Sequence, residues 1–251
     1  MKSNRKTMSH TQSVMLFIIM TVGLHVLGMK IYGMIAHTDL ISDYITYGSK
    51  ILGVILVTEM ILFARLTPMK CNWSALKASK EELKRSLPVC IAISLLIIAA
   101  LIVFRLYMNA KNPVYREIPY FGLYLNVHTR WLYPLSIVFQ EFFIKAFVQD
   151  NIGITLCGYG QMDFPDALKK HTNVNTRQAI ITAWITAVFF FILHMQYPLF
   201  YMTGALLLCL VTGVLYERNR NIWGAVLVHF AIGFMPRCLG VLQILEGYPL
   251  N

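Results

Sequence analysis

The sequence predicts an all-α protein, a polytopic bundle of about seven transmembrane helices. Charged residues make up only 14% of the 251 residues and hydrophobic residues make up 57%, whereas soluble domains are about half apolar and about one quarter charged. The hydrophobic residues are also gathered into runs of about 20, the length that an α-helix needs to cross a bilayer. Helices are the expected spanning elements because they satisfy their own backbone hydrogen bonds in lipid.

Seven apolar runs are predicted to span the membrane, and charged or proline-containing connections separate them. They cover residues 14–36, 44–66, 87–107, 131–149, 179–197, 199–216 and 222 onward. The basic residues 70–85 are expected to form a surface helix, and residues 109–130 are expected to be non-helical because two prolines interrupt them. Pro236 and Arg237 are expected to interrupt the last run, which then forms one broken helix or two short ones. No internal repeat or domain-scale linker is evident, so residues 1–251 are predicted to form a single membrane domain.

The net charge of +10 is carried largely by Lys and Arg residues in the connections between the apolar runs. With seven spans, the basic connections and the N-terminal tail fall on one side, which the positive-inside rule assigns to the cytoplasm. This distribution indicates topology-setting charge and no nucleic-acid partner. The five Cys residues form no C-x-x-C pair, so neither a disulfide framework nor a zinc site is predicted from them. The first run is as long as a spanning helix and is expected to be retained rather than cleaved.

Several ionisable residues fall inside the predicted spans, where charge is costly and a functional role is the default hypothesis. They are His25, Lys30, Lys50, Glu59, Glu141, Lys145, His194, His229 and Arg237. Lys30, Lys50 and Arg237 are interpreted as residues near span ends whose long side chains reach the interface. His25 is interpreted as a hydrogen-bonded packing residue, and Glu59 as a structural group that pairs with a neighbouring helix.

The second half of the chain holds the set that is most informative about chemistry. Glu141 and Lys145 are four residues apart, within ion-pair reach on one helix face, while Gln140 points about 100° away from Glu141. His194 and His229 lie in two later spans, so a carboxylate and two imidazoles can converge inside a bundle. Such a set can activate water and stabilise an oxyanion, or it can ligate a divalent metal. The alternative is that each group only makes a hydrogen bond between helices.

Three short motifs give the chain a resemblance to a family of membrane proteases. They are Gln-Glu-x-x-x-Lys at residues 140–145, Phe-x-x-x-His at 190–194 and His-x-x-x-Gly at 229–233. Their order and membrane setting resemble Glu-Glu-x-x-x-Arg, Phe-x-x-x-His and His-x-x-x-Asn of the CPBP family, the CAAX-type and bacteriocin-processing (Abi) intramembrane proteases. The resemblance covers roughly residues 130–235. It implies a CPBP-like core in that range and a multi-pass protein of a bacterial cell membrane.

The resemblance also implies roles for the matching residues. In the family, the first Glu is taken to activate the attacking water with help from the first His, which corresponds to His194. The second His, here His229, and the Asn are taken to stabilise the oxyanion. Glu141 corresponds to the second Glu, which the family's Arg steadies, and Phe190 opens the second motif.

Three positions depart from the family pattern. Gln140 replaces the general base, and an amide cannot accept a proton at any relevant pH. Gly233 replaces the Asn, and loss of one oxyanion donor costs about 10²–10³ in rate. Lys145 replaces the Arg and keeps its charge but not its bidentate geometry, so an ion pair with Glu141 is still expected. If the chain is a decayed protease, Gln140→Glu together with Gly233→Asn is expected to raise its activity.

Three functions remain open from the sequence. The first is an intramembrane endopeptidase of the CPBP family that hydrolyses a peptide bond in a membrane-associated peptide or protein. The second is a catalytically inactive relative that binds or regulates a membrane partner, and the third is a transporter that uses the buried Glu and His residues as a proton relay. The glutamate-type mechanism needs no cofactor, whereas a divalent metal on Glu141, His194 and His229 is another way to activate water. The expected partners are the lipid bilayer and a peptide or membrane protein.

Overall fold

A computed structural model describes residues 8–35, 44–121, 132–171 and 175–245. All regular structure in these ranges is helical, which confirms the predicted all-α class. Three helices within the same ranges are long and apolar enough to cross a membrane, namely His10–Ile31, Lys80–Lys111 and Leu199–Asn219. Thr176–Ile192 and Trp223–Cys238 are shorter apolar helices. The count of seven spans therefore stays a prediction.

The helices follow the predicted apolar runs closely. In chain order they are α1 (His10–Ile35), α2 (Tyr44–Leu66), α3 (Lys80–Lys111), α4 (Leu132–Glu141), α5 (Asp150–Leu156), α6 (Phe164–His171), α7 (Thr176–Ile192), α8 (Leu199–Asn219), α9 (Trp223–His229), α10 (Met235–Cys238) and α11 (Val241–Leu245). Two π-helical segments, Phe142–Gln149 and Phe230–Phe234, follow α4 and α9 without a break in the helical backbone. Short 3₁₀ turns form at Trp73–Leu76 and Pro113–Glu117.

These elements group into two compact units, and each is considered by itself. The first unit contains the residues up to Trp73 together with Phe143–Glu217. The second unit contains Ser74–Phe142 together with the residues from Arg218 onward. The expectation of a single membrane domain over residues 1–251 stays a prediction.

The first unit combines aromatic packing with a buried carboxylate. The ring of Phe17 on α1 lies 5.2 Å from that of Phe63 on α2, in an edge-to-face arrangement that favours aromatic contacts. On α5, Asp150 Oδ2 accepts hydrogen bonds from Asn72 Nδ2 (2.8 Å) and Tyr216 Oη (2.7 Å). The two donors stabilise a carboxylate that would otherwise be costly to bury.

In the second unit, α3 begins earlier and runs longer than the predicted span. Ser79 Oγ accepts a hydrogen bond from the N–H of Glu82 (3.2 Å), and the N–H of Ser79 donates to Glu82 Oε2 (2.7 Å), which forms a capping box. The prediction of a separate surface helix over residues 70–85 is wrong, because α3 continues from Lys80 through Pro88. Its 32 residues extend over about 48 Å, compared with a hydrocarbon core of about 30 Å.

A buried arginine on α3 holds two later segments of the second unit. Arg105 Nη2 donates to the carbonyl oxygens of Tyr115 (2.8 Å) and Ile118 (2.7 Å), and Arg105 Nη1 donates to that of Gly240 (3.4 Å). Gly240 has a φ of +67°, a left-handed conformation that glycine adopts without strain. This residue lies between α10 and α11, so the same arginine contacts both the polar segment after α3 and the final turn.

The prolines interrupt the chain less than expected. Pro236 follows the π-helical segment Phe230–Phe234 by one residue, and the helical backbone continues through it. The helix therefore runs from Trp223 to Cys238, and the predicted interruption at Pro236 and Arg237 is wrong. Of the segment 109–130, which was predicted to be non-helical, residues up to 111 complete α3 and residues 113–117 form a 3₁₀ turn. Residues 122–130 lie outside the described ranges.

Candidate active site

Two of the predicted site residues form a buried hydrogen-bonded pair within the second unit. Glu141 is the last residue of α4 and His229 is the last residue of α9. Their side chains are almost fully buried, and His229 Nδ1 lies 2.8 Å from Glu141 Oε1. An ionised carboxylate only accepts hydrogen bonds, so Nδ1 carries the proton and the lone pair of a neutral His229 lies on Nε2.

The helical backbone changes its pitch immediately after each member of this pair. The π-helical segment Phe142–Gln149 follows Glu141, and the π-helical segment Phe230–Phe234 follows His229. Such segments are rare and occur frequently at functional sites. Their position next to both residues marks this pair as the candidate site of the second unit.

The space beside His229 contains a tyrosine that the motifs did not reveal. A Cβ atom added to Gly233 would collide with Tyr133 Oη, and it would lie 3.1 Å from His229 Cδ2 and 3.4 Å from His229 Nε2. The Tyr133 hydroxyl therefore occupies the place where a longer side chain at residue 233 would begin. A side chain at residue 233 therefore requires the Tyr133 hydroxyl to shift, and the expected gain of activity from Gln140→Glu with Gly233→Asn stays a prediction.

Gln140 makes its hydrogen bond along its own helix. Its Nε2 donates to Ser136 Oγ (3.3 Å), and Ser136 Oγ donates to the carbonyl oxygen of Tyr133 (2.7 Å). Tyr133, Ser136 and Gln140 have the i, i+3, i+7 spacing of one helix face. This polar stripe on an apolar helix is the sequence signal that could have singled out Tyr133.

Lys145 has a different partner from the one predicted. The side chain is fully buried, and Lys145 Nζ donates to the carbonyl oxygen (3.0 Å) and the sulfur (3.2 Å) of Cys209, all within the first unit. The predicted ion pair with Glu141 is wrong. Glu141 accepts its hydrogen bond from His229 instead, while the buried ammonium obtains acceptors from α8.

His194 lies in the first unit, in the turn that follows α7, and not inside a span that reaches residue 197 as predicted. Its Nδ1 lies 2.8 Å from the carbonyl oxygen of Phe190, and the two rings are 4.4 Å apart. Because a carbonyl oxygen only accepts, Nδ1 carries the proton and the lone pair of a neutral His194 lies on Nε2. The backbone carbonyl of residue 190 fixes the tautomer of His194, and the Phe190 ring packs against its imidazole, which is the contribution specific to a Phe in the Phe-x-x-x-His motif.

A protein metal site needs several donor side chains close together. In those ranges, no group of three or more His, Cys, Asp or Glu side chains lies close enough together to hold a metal ion. His229 Nδ1 is also engaged by Glu141. A metal held by Glu141, His194 and His229, which belong to different units, stays a prediction.

The ionisable residues interpreted as structural have polar partners within the first unit. Thr21 Oγ1 donates to Glu59 Oε2 (2.8 Å), and His25 Nε2 lies 3.1 Å from Gln196 Oε1. Arg237 of the second unit does not merely extend towards an interface, since its guanidinium lies 5.2 Å from the centre of the Tyr133 ring.

A second carboxylate–imidazole pair, which sequence reasoning missed, is buried in the first unit. His171 Nε2 lies 3.4 Å from Glu217 Oε2. Gln149 Nε2 donates to Glu217 Oε1 (2.8 Å) and to the carbonyl oxygen of Gly213 (3.0 Å). The sequence suggested only a polar turn around residue 217 and a basic connection around residue 171, since neither position carries an apolar pattern that predicts burial.

Comparison with known proteins identifies a family. The sequence model of the type II CAAX prenyl endopeptidase Rce1-like family matches residues 60–235, which include all three motifs. Searches of curated proteins and of solved structures find no match. The match covers more than half of the chain and confirms the resemblance to the CPBP intramembrane proteases. The chain is therefore an integral membrane protein that belongs to the type II CAAX prenyl endopeptidase Rce1-like family.

Proposed function

We propose that this protein is an intramembrane endopeptidase that hydrolyses a peptide bond in a membrane-associated peptide or protein. The observation that carries the proposal is the buried hydrogen bond of 2.8 Å between Glu141 and His229, in a chain whose family consists of endopeptidases by description. A carboxylate that holds an imidazole in one tautomer is an arrangement that produces a general base.

The proposed chemistry uses His229 as the base in place of the Glu that Gln140 has replaced. His229 Nε2 takes a proton from a water molecule, whose oxygen attacks the carbonyl carbon of the peptide bond. The carbonyl oxygen becomes an oxyanion while Glu141 stabilises the imidazolium through Nδ1. The imidazolium then gives its proton to the leaving amine as the C–N bond breaks, which returns His229 to its neutral form.

His194 keeps the supporting role that the family motif implies, as part of the proposal. The contact of its Nδ1 with the carbonyl oxygen of Phe190 supports that role, because it leaves the imidazole lone pair on Nε2. Loss of function in His194→Ala, with normal folding, is the expected result.

A second candidate function is favoured by the chemistry of Gln140. Its amide cannot act as a base, and it already donates to Ser136 Oγ. A catalytically inactive relative that binds or regulates a membrane partner would retain the fold while losing the base. This reading predicts that the His residues are dispensable for the biological effect of the protein.

The test compares peptide termini in membranes by mass spectrometry. A host that lacks the native gene carries either the wild-type chain or the His194→Ala, His229→Ala double variant, at equal expression. A third strain carries Glu217→Gln, which alters the buried pair of the first unit and serves as the matched control. We expect new termini in the wild-type and Glu217→Gln strains that disappear in the double variant. Identical termini in all strains would refute the protease and favour the partner-binding function.

We also propose that the N-terminal tail faces the cytoplasm of a bacterial cell. With seven spans, the N-terminal tail lies on the same side as the connections that carry most of the Lys and Arg residues, and such connections are cytoplasmic. A fluorescent protein that matures only in the cytoplasm, fused before residue 1, is expected to be fluorescent. A full-length fusion protein that is present in the membrane but not fluorescent would show the opposite orientation.

A further inference from the structure

The second unit brings a phenolic hydroxyl and an imidazole to one small volume. Tyr133 Oη, His229 Cδ2 and His229 Nε2 all lie within 3.4 Å of the point that a Cβ at Gly233 would occupy. In the proposed reaction the water and the substrate carbonyl must also lie next to His229 Nε2. A hydroxyl at this position is therefore close to the oxygen on which negative charge develops.

We infer that Tyr133 is a catalytic residue that donates a hydrogen bond to the oxyanion, in the role that a side chain at Gly233 cannot perform. The inference rests on the proposed function and deepens it. Tyrosine hydroxyls are among the side-chain donors that stabilise oxyanions in enzymes. This role also explains why residue 233 is a glycine, because any larger residue there would displace the Tyr133 hydroxyl.

The surroundings of Tyr133 hold its ring in a fixed orientation. The ring stacks on Phe234 with centroids 6.1 Å apart and an angle of 15° between the planes. The guanidinium of Arg237 lies 5.2 Å from the same ring, and Ser136 Oγ donates to the carbonyl oxygen of Tyr133 (2.7 Å). Donors that are oriented before the reaction lose little free energy to reorganisation when the charge appears.

The positive charge of Arg237 strengthens the Tyr133 hydroxyl as a hydrogen-bond donor. A cation over an aromatic face is attracted to the ring. It also stabilises the partial negative charge that a phenolic oxygen gains as it gives up its proton to an acceptor. Tyr133 is therefore a better hydrogen-bond donor here than a tyrosine in a neutral apolar environment.

The first experiment removes only the hydroxyl. Tyr133→Phe retains the contacts of the ring with Phe234 and Arg237, so the fold is preserved. In purified protein in liposomes, we expect kcat to fall about 10²-fold with KM nearly unchanged, whereas Tyr107→Phe on the exposed face of α3 leaves both unchanged. An unchanged kcat in Tyr133→Phe would overturn the inference.

The second experiment exchanges the two side chains. Gly233→Asn alone is expected to reduce activity, because the Asn collides with Tyr133 Oη. Tyr133→Ala alone is expected to reduce activity, because the donor is lost. The double variant Tyr133→Ala, Gly233→Asn provides both space and a donor, so it is expected to be at least tenfold more active than either single variant. A double variant no better than the worse single variant would count against Tyr133.

A third experiment separates this inference from the proposed function. The probe is a prenylated C-terminal peptide in which the amide after the cysteine is replaced by a phosphinate, a stable mimic of the tetrahedral oxyanion. Tyr133→Phe is expected to weaken binding of the phosphinate by at least tenfold and to leave binding of the parent peptide unchanged. If Tyr133→Phe weakens phosphinate binding but the wild-type protein cleaves no peptide, the proposed protease function is refuted. The inference that Tyr133 donates a hydrogen bond to the oxyanion mimic then still stands. Absent or equal phosphinate binding in the two proteins would overturn the inference about Tyr133.

Discussion

Two regions of this molecule bury the same pair of chemical groups in different surroundings. In the second unit, Glu141 contacts His229 through Nδ1 at 2.8 Å. In the first unit, Glu217 contacts His171 through Nε2 at 3.4 Å. Residue types and burial alone do not distinguish the pairs, so their difference must come from what surrounds each imidazole and each carboxylate.

The pair in the first unit is enclosed by protein groups on every side that the structure describes. Gln149 donates to the other oxygen of Glu217, and His171 Nδ1 lies 3.8 Å from Cys157 Sγ. Gly153 packs so closely on Nε2 and Cε1 of the His171 ring that a Cβ there would collide with these atoms. Such an arrangement fixes both side chains within the fold.

The pair in the second unit has a hydroxyl and a glycine beside the second imidazole nitrogen. Tyr133 Oη and His229 Nε2 both lie within 3.4 Å of the point that a Cβ at Gly233 would occupy, and π-helical segments follow both members of the pair. The comparison is consistent with the proposal that the pair beside Tyr133 serves catalysis, whereas the pair beside Gln149 and Cys157 serves the fold.

The largest expected effect comes from neutralising the two carboxylates in turn. Glu141→Gln is expected to lower kcat by about 10²–10⁴-fold, because an amide NH₂ group can replace the acceptor and hold His229 in the wrong tautomer. Glu217→Gln is expected to change kcat less than threefold under the same conditions. The measurement is cleavage of one membrane-tethered peptide by both variants in liposomes. Equal losses in the two variants would abolish the distinction between the pairs.

A medium effect is expected on stability when Glu217 is removed. Glu217→Ala removes the carboxylate that accepts from Gln149 Nε2 and lies 3.4 Å from His171 Nε2, and loss of a buried hydrogen-bond partner costs about 1–3 kcal/mol. The free energy of unfolding in detergent, measured by denaturant titration, is expected to fall by that amount. The folded fraction should retain wild-type kcat. A loss of kcat in fully folded protein would show that the first unit's pair also serves the reaction.

The smallest effect tests how tightly the first unit's pair is packed. Gly153→Ala is expected to reduce the free energy of unfolding by about 1–3 kcal/mol, because the new methyl group meets the His171 ring. Gly204→Ala on α8 is the control, since a Cβ there has nothing within 4 Å. That change is expected to stabilise the helix by about 0.5–1 kcal/mol. A lower unfolding temperature in Gly153→Ala and a higher one in Gly204→Ala would support close packing at His171. An unchanged unfolding temperature in Gly153→Ala would contradict it.

The sequence predicts the helices well because lipid allows few alternatives. Runs of about 20 apolar residues must be helical in a bilayer, and the helices α1, α2 and α8 follow the predicted runs within a few residues. Prolines were less informative. Pro88 and Pro236 both lie within continuous helices, although a proline in a helix interior costs about 3 kcal/mol or more.

The site could be predicted only in part. The motif order placed Glu141 and His229 on the list of candidates, and a direct contact between them fits the requirement that a buried carboxylate has a donor. The partner of Lys145 could not be predicted, because a long side chain reaches many carbonyl groups that sequence spacing does not locate. Tyr133 was missed because it belongs to no motif, and its importance depends on the three-dimensional closeness of Gly233.

The buried Arg105 has a consequence for how the second unit sits in lipid. Its hydrogen bonds hold the chain from Tyr115 to Ile118 against the end of α3, and the exposed rings of Tyr107, Tyr120 and Phe121 lie on or next to this part of the chain. Aromatic side chains collect at the boundary between hydrocarbon and head groups. We expect this end of α3 to be anchored at that depth, so that adjustment to thicker or thinner bilayers occurs by tilt or at the charged opposite end.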